Sequence, residues 1–255
     1  MNETPDRPTG RTSNDRPPRY RVWLRDLSEI AGREELSDPE VDLDGGQAHH
    51  LRDVLRLREG DPVEVFDGAG CVGAGRMAGR GGVVLESVRR VAAPVPAIDL
   101  AVALPKGPRG DDLVAVASQL GAARLIPLRT QRSTVHPRPT RYARFEKIAV
   151  ESARQCGRAY LLKVSPTTPF EDVLREGHDL RVMTAPNAAR DEIASRLQSA
   201  RRVLVLVGPE GGWTDDEVDL AGRAGCAALC LGANVLRIET AAAAALAVVA
   251  YLATA

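Results

Sequence analysis

Lysine is scarce in this 255-residue chain: Lys106, Lys147 and Lys163 stand among 34 basic residues, so nearly all the positive charge is arginine. Cysteine is scarce as well. Cys71, Cys156, Cys226 and Cys230 form no Cys-x-x-Cys pair and no histidine cluster at zinc spacing, which argues against a zinc ribbon and a disulfide-stapled scaffold. They are expected to be small buried residues in a reducing compartment. No run approaches the roughly eighteen apolar residues of a membrane span, and the N-terminus lacks the apolar core of a signal peptide. A cytoplasmic protein without a membrane segment is expected. A Walker-type Gly-Lys-Ser/Thr is missing too, which counts against phosphotransfer on a P-loop.

With 44% apolar residues the chain can bury a core sized for one large domain or two modest ones. The formal net charge is zero, and by itself this points neither toward nor away from nucleic acid. The distribution is uneven, however. Lys106 to Lys163 holds twelve basic and four acidic residues, and the segments on both sides are net acidic. Such a block is an electrostatic footprint for a phosphate backbone. The competing reading is a solvated helical face in an arginine-rich protein.

Residues 1–18 are rich in Pro, Arg, Asp, Asn and Thr and are expected to be disordered. Folded structure is expected from Arg19 and Tyr20 onward. His49 to Arg56 carries Leu51, Val54 and Leu55 at helical spacing, followed by Gly-Asp-Pro and Asp-Gly turns around Val63–Phe66 and further hairpin signals to Val91. This describes a small β-barrel over residues 19–92. The adjacent His49 and His50 point about 100° apart on a helix with no carboxylate or cysteine at ligand spacing, so no metal is expected there. Arg52, Arg56 and Arg58 line an RNA-facing side or a solvated helix face.

Ala92–Pro96 reads as a linker, and a second domain is expected over residues 97–255. Strands are expected at Ile98–Leu104, Arg124–Leu128, Leu180–Thr184, Val203–Val207 and Ala227–Leu231. Helices are expected at Asp111–Gly121, Arg141–Gly157, after Asn187, from Thr214, where Thr-x-x-Glu matches a capping box, and from Glu239. Alternation of this kind gives an α/β domain with a mainly parallel sheet. Val203–Val207 runs into Gly208-Pro209-Glu210-Gly211-Gly212, and Ala227–Leu231 runs into Gly232-Ala233-Asn234. Ligands of open α/β sheets bind at the carboxyl ends of strands, where glycine lets main-chain groups come close. A plain strand-to-helix turn accounts for the first glycine cluster equally well.

The sequence LVGPEGGWTDDEV followed by LGANVLRIETA resembles the C-terminal signature of the SPOUT methyltransferases, and most closely the RsmE family. HHLRDVLR…GDPVEVFDGAG is similar to that family's PUA-like N-terminal domain, associated with RNA binding. Pro105-Lys106-Gly107, Gln131-Arg132-Ser133 and Glu151 to Arg158 resemble further family elements, with Gln131 in place of the usual acid and Asn234 in place of a usual basic residue. The resemblance implies a SPOUT domain with a trefoil knot, a homodimer, and transfer of a methyl group from S-adenosyl-L-methionine to N3 of a uridine in 16S ribosomal RNA of the small ribosomal subunit. No metal is required. The cofactor cradle would be Val207, Gly208, Pro209, Glu210, Gly211, Gly212, Leu231, Gly232, Val235, Leu236 and Thr240. Arg237 would stabilise developing negative charge, and Glu239 would accept the N3 proton or favour the α-helix dipole. Arg19, Arg52, Arg56, Lys106, Arg132, Arg154 and Arg158 would meet RNA. A SPOUT 2′-O-ribose methyltransferase and a non-catalytic RNA-binding protein are the alternatives.

Overall fold

A computed structural model describes residues 20–31, 40–79, 81–135, 137–185 and 193–254. The expected disordered tail, Arg19, and the start of the helix expected after Asn187 lie outside them. The chain divides into two compact units, one comprising Met1–Phe66 and Cys71–Arg89, the other Asp67–Gly70 and Arg90–Ala255.

The first unit contains β1 (Arg21–Trp23), α1 (Leu27–Ala31), β2 (Glu40–Asp42), α2 (Gly45–His49), β3 (Pro62–Phe66), β4 (Cys71–Met77) and β5 (Gly82–Arg90). The strands lie in the order β1-β3-β4-β5-β2, with β1 parallel to β3 and β3 antiparallel to β4. The helix expected from His49 to Arg56 is two pieces. After α2 the chain makes one wide π-type turn, His50–Val54, closed by Leu55 N–H donating to His50 O at 2.9 Å. Leu51 turns inward with Val22, Leu27, Val63, Val65 and Leu85 to form the core. Arg21 is buried over the Phe66 ring and ion-paired to Glu64.

The second unit is built on a parallel sheet. Its strands are β6 (Ala97–Val102), β7 (Arg124–Arg129), β8 (Lys163–Val164), β9 (Thr168–Pro169), β10 (Leu180–Thr184), β11 (Arg202–Val207) and β12 (Ala227–Leu229). The order is β12-β10-β11-β6-β7-β8, with β9 beside β7, and each described pairing is parallel. The helices are α3 (Arg109–Gln119), α4 (Pro139–Cys156), α5 (Phe170–Arg175), α6 (Ile193–Leu197), α7 (Asp215–Arg223) and α8 (Ile238–Thr254). Alternate residues of each strand feed opposite faces. Ile98, Leu100, Val102, Val203, Val205 and Val207 pack with α3, α4 and α8 residues such as Leu113, Phe145 and Leu246. Ala101, Leu204 and Leu206 pack with Phe170, Val173 and Ala221 of α5 and α7. Both faces being covered explains why β6 and β11 read as nearly continuous apolar runs.

Two expectations shift. β12 ends at Leu229 rather than Leu231: it is an edge strand, and past Leu229 the chain turns away into the second glycine loop. Cys156 is exposed, as the last residue of α4, whereas Cys71 is buried. Burial pushes the Cys226 thiol up to about 11, which keeps it protonated and unreactive. Among the described residues no helix is long and apolar enough to cross a membrane.

Candidate active site

Thr184, Val207 and Leu229 end three adjacent parallel strands, β10, β11 and β12, at one edge of the sheet. The chain leaves β11 as Gly208–Gly212 and leaves β12 as Cys230–Leu236. Both loops close around one hollow of about 140 Å³. Of the expected cradle, Val207, Gly208, Pro209, Glu210, Gly212, Leu231, Gly232, Val235 and Leu236 line it. Gly211 and Thr240 do not. Thr240 follows Ile238, which does line the hollow, by two residues, and two helical steps carry it round to the exposed side of α8. Ala241, three residues after Ile238, returns to the lining.

Trp213 explains the glycine at 208. A Cβ there would sit 2.9 Å from the Trp213 ring, closer than real contacts allow. The indole is itself fixed, donating from Nε1 to Thr184 O at 2.9 Å and lying 5.1 Å from the Phe170 ring. Gly232 has φ +130°, a conformation that residues with a side chain rarely adopt. The rest of the lining is largely apolar, with Leu229, Leu231, Val235, Leu236 and Ile238 joining Gly208–Glu210 around the hollow. A flat aromatic group with polar edges suits such a wall, since main-chain amides and carbonyls bond its rim while the side chains sandwich its face. Val235 is 85% exposed at the lip.

Glu239 and Arg237 take different places. Arg237 is exposed and outside the lining. Glu239 is half-buried, its Oε1 3.7 Å from Arg109 Nη1, and its Oε2 is buried without a hydrogen-bond partner among the described residues. Arg109 also approaches Glu210, at 3.9 Å. The start of α3 therefore reaches both the first glycine loop and the first turn of α8. Arg109 and Thr184 carry no local sign of a site role, because only the strand order brings them here, whereas Trp213 directly follows the first glycine loop. The one usable signal was that parallel strands end together at one edge.

The arginines expected to meet RNA divide into two groups. Arg52, Arg56 and Lys106 are exposed, and Arg154 pairs with Glu151 within α4 at 3.0 Å. Arg56 adopts a left-handed conformation (φ +58°) just past the π-type turn, which is uncommon outside glycine. By contrast, Arg158 donates to Ser118 O at 2.6 Å and Ala122 O at 2.9 Å, and burial pushes its pKa down. It ties the end of α4 to the turn after α3. Arg132 donates to Gly211 O and Trp213 O. His49 meets Asp53 at 2.6 Å, one helical turn on, so a carboxylate partner does exist for it, and the two make an exposed local pair.

Among the described residues one cluster has the composition of a metal site: Asp99, Glu176 and His178. Arginine already supplies its positive charge. Arg124 is bound to Asp99 (2.8 Å) and to Glu176, and Arg202 lies 3.1 Å from Asp99. The network involves the start of β6, whereas the hollow lies at the opposite edge of the sheet.

Comparison with known proteins agrees with this geometry. The family model described as an RNA methyltransferase domain matches residues 92–250, and an RNA methyltransferase PUA domain matches 43–86. The ribosomal RNA small subunit methyltransferase E of Synechocystis is 30% identical over 222 residues, covering 83% of this chain and 73% of that protein. The Mycobacterium bovis protein of the same name is 31% identical over 227 residues, covering 82% and 86%. The Neisseria gonorrhoeae structure of that name, bound to S-adenosyl methionine, superposes with a TM-score of 0.78 at 25% identity, covering 91% of this chain and 97% of that one. These matches, an RNA methyltransferase domain and a PUA domain with relatives at 30–31% identity over more than four fifths of the chain, place this chain in the RsmE family of RNA methyltransferases.

Proposed function

We propose that this protein transfers the methyl group of S-adenosyl-L-methionine to N3 of a uridine in 16S ribosomal RNA, in the cytoplasm and on the small ribosomal subunit or its precursor. The observation that carries the reading is the meeting of the Gly208–Gly212 and Cys230–Leu236 loops around one hollow with an apolar wall. The Neisseria gonorrhoeae relative was solved with that cofactor.

S-adenosyl-L-methionine brings a methyl group already activated by its sulfonium. The chain's work is to hold donor and base in line, to help the N3 proton leave, and to stabilise the charge that spreads over the uracil oxygens. Val207, Leu231, Val235 and Leu236 pack on the purine, and the main chain of Gly208–Gly212 takes its edge and the ribose. Arg237, exposed next to the second loop, meets the developing oxyanion or a phosphate, since a guanidinium stays charged. Glu239 is the candidate for the N3 proton. Arg52 and Arg56 of the first unit and Lys106 and Arg154 of the second serve the RNA backbone. Arg158 is left out of that group because it already caps a helix end.

Two further features belong to the proposal. The segment after β11 threads as a trefoil knot, a reading supported by α8 packing back on α3, β6 and β11. The protein also acts as a homodimer, supported by Val248 and Tyr251, which leave apolar surface on the outer side of α8. Mass-spectrometric mapping of ribosomal RNA from a deletion strain tests the function. Loss of one N3-methyluridine, restored by the intact gene, is the expected result. An unchanged content of that nucleoside would overturn it.

A further inference from the structure

We infer that Arg132 is a positioning residue of the donor site, holding the Gly208–Gly212 loop in shape from outside the hollow. The inference rests on reading that hollow as the place of the methyl donor. Arg132 follows β7 and is far from the loop in sequence. Even so, its Nη1 donates to Gly211 O at 2.7 Å and Trp213 O at 3.2 Å. These two carbonyls flank Gly212, whose φ of +70° marks the bend between the hollow and α7. The bend has one internal hydrogen bond, from Gly212 N to Pro209 O at 2.9 Å. Arg132 adds two from a second segment, and its stem covers Gly211, where an added Cβ would lie 3.3 Å from Cδ.

The anchor is itself fixed. Ser133 Oγ accepts from Thr130 N at 2.8 Å and donates to Thr130 O at 3.0 Å. Glu217, 4% exposed, accepts from Gln131 N at 2.8 Å and from Thr214 N at 2.9 Å. The 130–133 turn and the 211–214 stretch are therefore joined twice, once through Arg132 and once through Glu217. Trp213 passes the constraint inward: its carbonyl is held by Arg132, its Nε1 by Thr184, and its ring lies under Gly208 in the wall of the hollow. Arg132 does not line the hollow. It acts on the donor through the loop.

The test uses the full chain, Arg132→Met and Arg132→Lys. S-adenosyl-L-methionine affinity is read by calorimetry, and affinity for a 16S RNA fragment is read at several salt concentrations. Losing charge-assisted bonds on an exposed residue should weaken donor binding about tenfold in Arg132→Met. A single nitrogen serves both carbonyls, so an ammonium can replace it, and Arg132→Lys should recover most of the loss. The salt slope of RNA binding should stay the same in both variants. The inference is overturned if Arg132→Met binds the donor as the unmutated chain does, or if Lys and Met weaken it equally. It is also overturned if the loss falls on RNA affinity with a slope smaller by roughly one phosphate contact. If the unmutated folded chain takes up no donor, it is the donor-site reading that has failed, a result distinct from any of these.

Discussion

Arg109 Nη1 lies 3.7 Å from Glu239 Oε1, so the first residue of α3 faces the first turn of α8 across the sheet edge. The same guanidinium reaches Glu210. A partly exposed pair of this length contributes at most about 1 kcal/mol to stability. Arg109→Ala should therefore leave the unfolding free energy within about 1 kcal/mol. It should lower kcat for methyl transfer roughly tenfold by freeing Glu239 to wander, since misplacement of a reacting group by an ångström is costly. Denaturant unfolding and steady-state kinetics on the same preparation check this. An unchanged kcat would remove Arg109 from the site.

The α7 N-terminus is held by a reciprocal cap: Glu217 N donates to Thr214 Oγ1 and Thr214 N donates to Glu217 Oε2. Thr214→Ala should cost about 1 kcal/mol. Glu217→Ala should cost more, about 2 kcal/mol, because the buried Glu217 carboxylate accepts from Gln131 N as well as from Thr214 N, and both bonds are lost. Urea unfolding of the two variants ranks them.

At the hollow, Gly208→Ala should weaken S-adenosyl-L-methionine binding by tenfold or more. The new methyl group must push the Trp213 ring, 2.9 Å away, out of the wall. The displaced indole should show a changed emission spectrum before any ligand is added. Gly222→Ala, a change on α7 with open space around it, should alter neither property and serves as the control.

At the start of β6, burial pushes the Asp99 carboxyl up, but hydrogen bonds from His178 and Arg124 and the charges of both outweigh it and hold the pKa below the ordinary carboxylate range. The folded value thus lies under the unfolded one. The stabilisation is complete above the unfolded pKa and is lost as pH falls through the folded value. Acid unfolding should carry this loss below about pH 4. Asp99→Asn should remove that part of the pH dependence and destabilise the protein at neutral pH by about 2 kcal/mol, since the hydrogen bonds that Arg124 and His178 make to a carboxylate become weaker bonds to a neutral amide, while Glu176 still pairs with Arg124. Unfolding free energy measured between pH 3 and 7 for both proteins decides it.

Much of this was legible in the sequence where the signal is local. Thr214-x-x-Glu217 announced its cap, Leu180–Thr184 its strand, and the two glycine clusters their place at strand ends. What stayed hidden depends on partners far along the chain. Their place in a basic block and in two family-like elements marked Arg132 and Arg158 for RNA, whereas the fold gives them main-chain carbonyls at Gly211, Trp213, Ser118 and Ala122. Nothing local identifies Arg109 or Thr184 as neighbours of the hollow, because the order β12-β10-β11-β6 is set by how both faces of the sheet are covered. The early end of β12 has the same origin: Cys230 and Leu231 read as strand, but the pairing with β10 stops where Thr184 faces Leu229.

The central claim is that two glycine loops make one methyl-donor site. Calorimetric titration of the unmutated chain with S-adenosyl-L-methionine tests it most directly. The account predicts saturable binding at one site per chain, displaced by S-adenosylhomocysteine and lost in Gly208→Val. A well-folded protein that gives no saturable binding, or that binds equally well with valine at position 208, would contradict it.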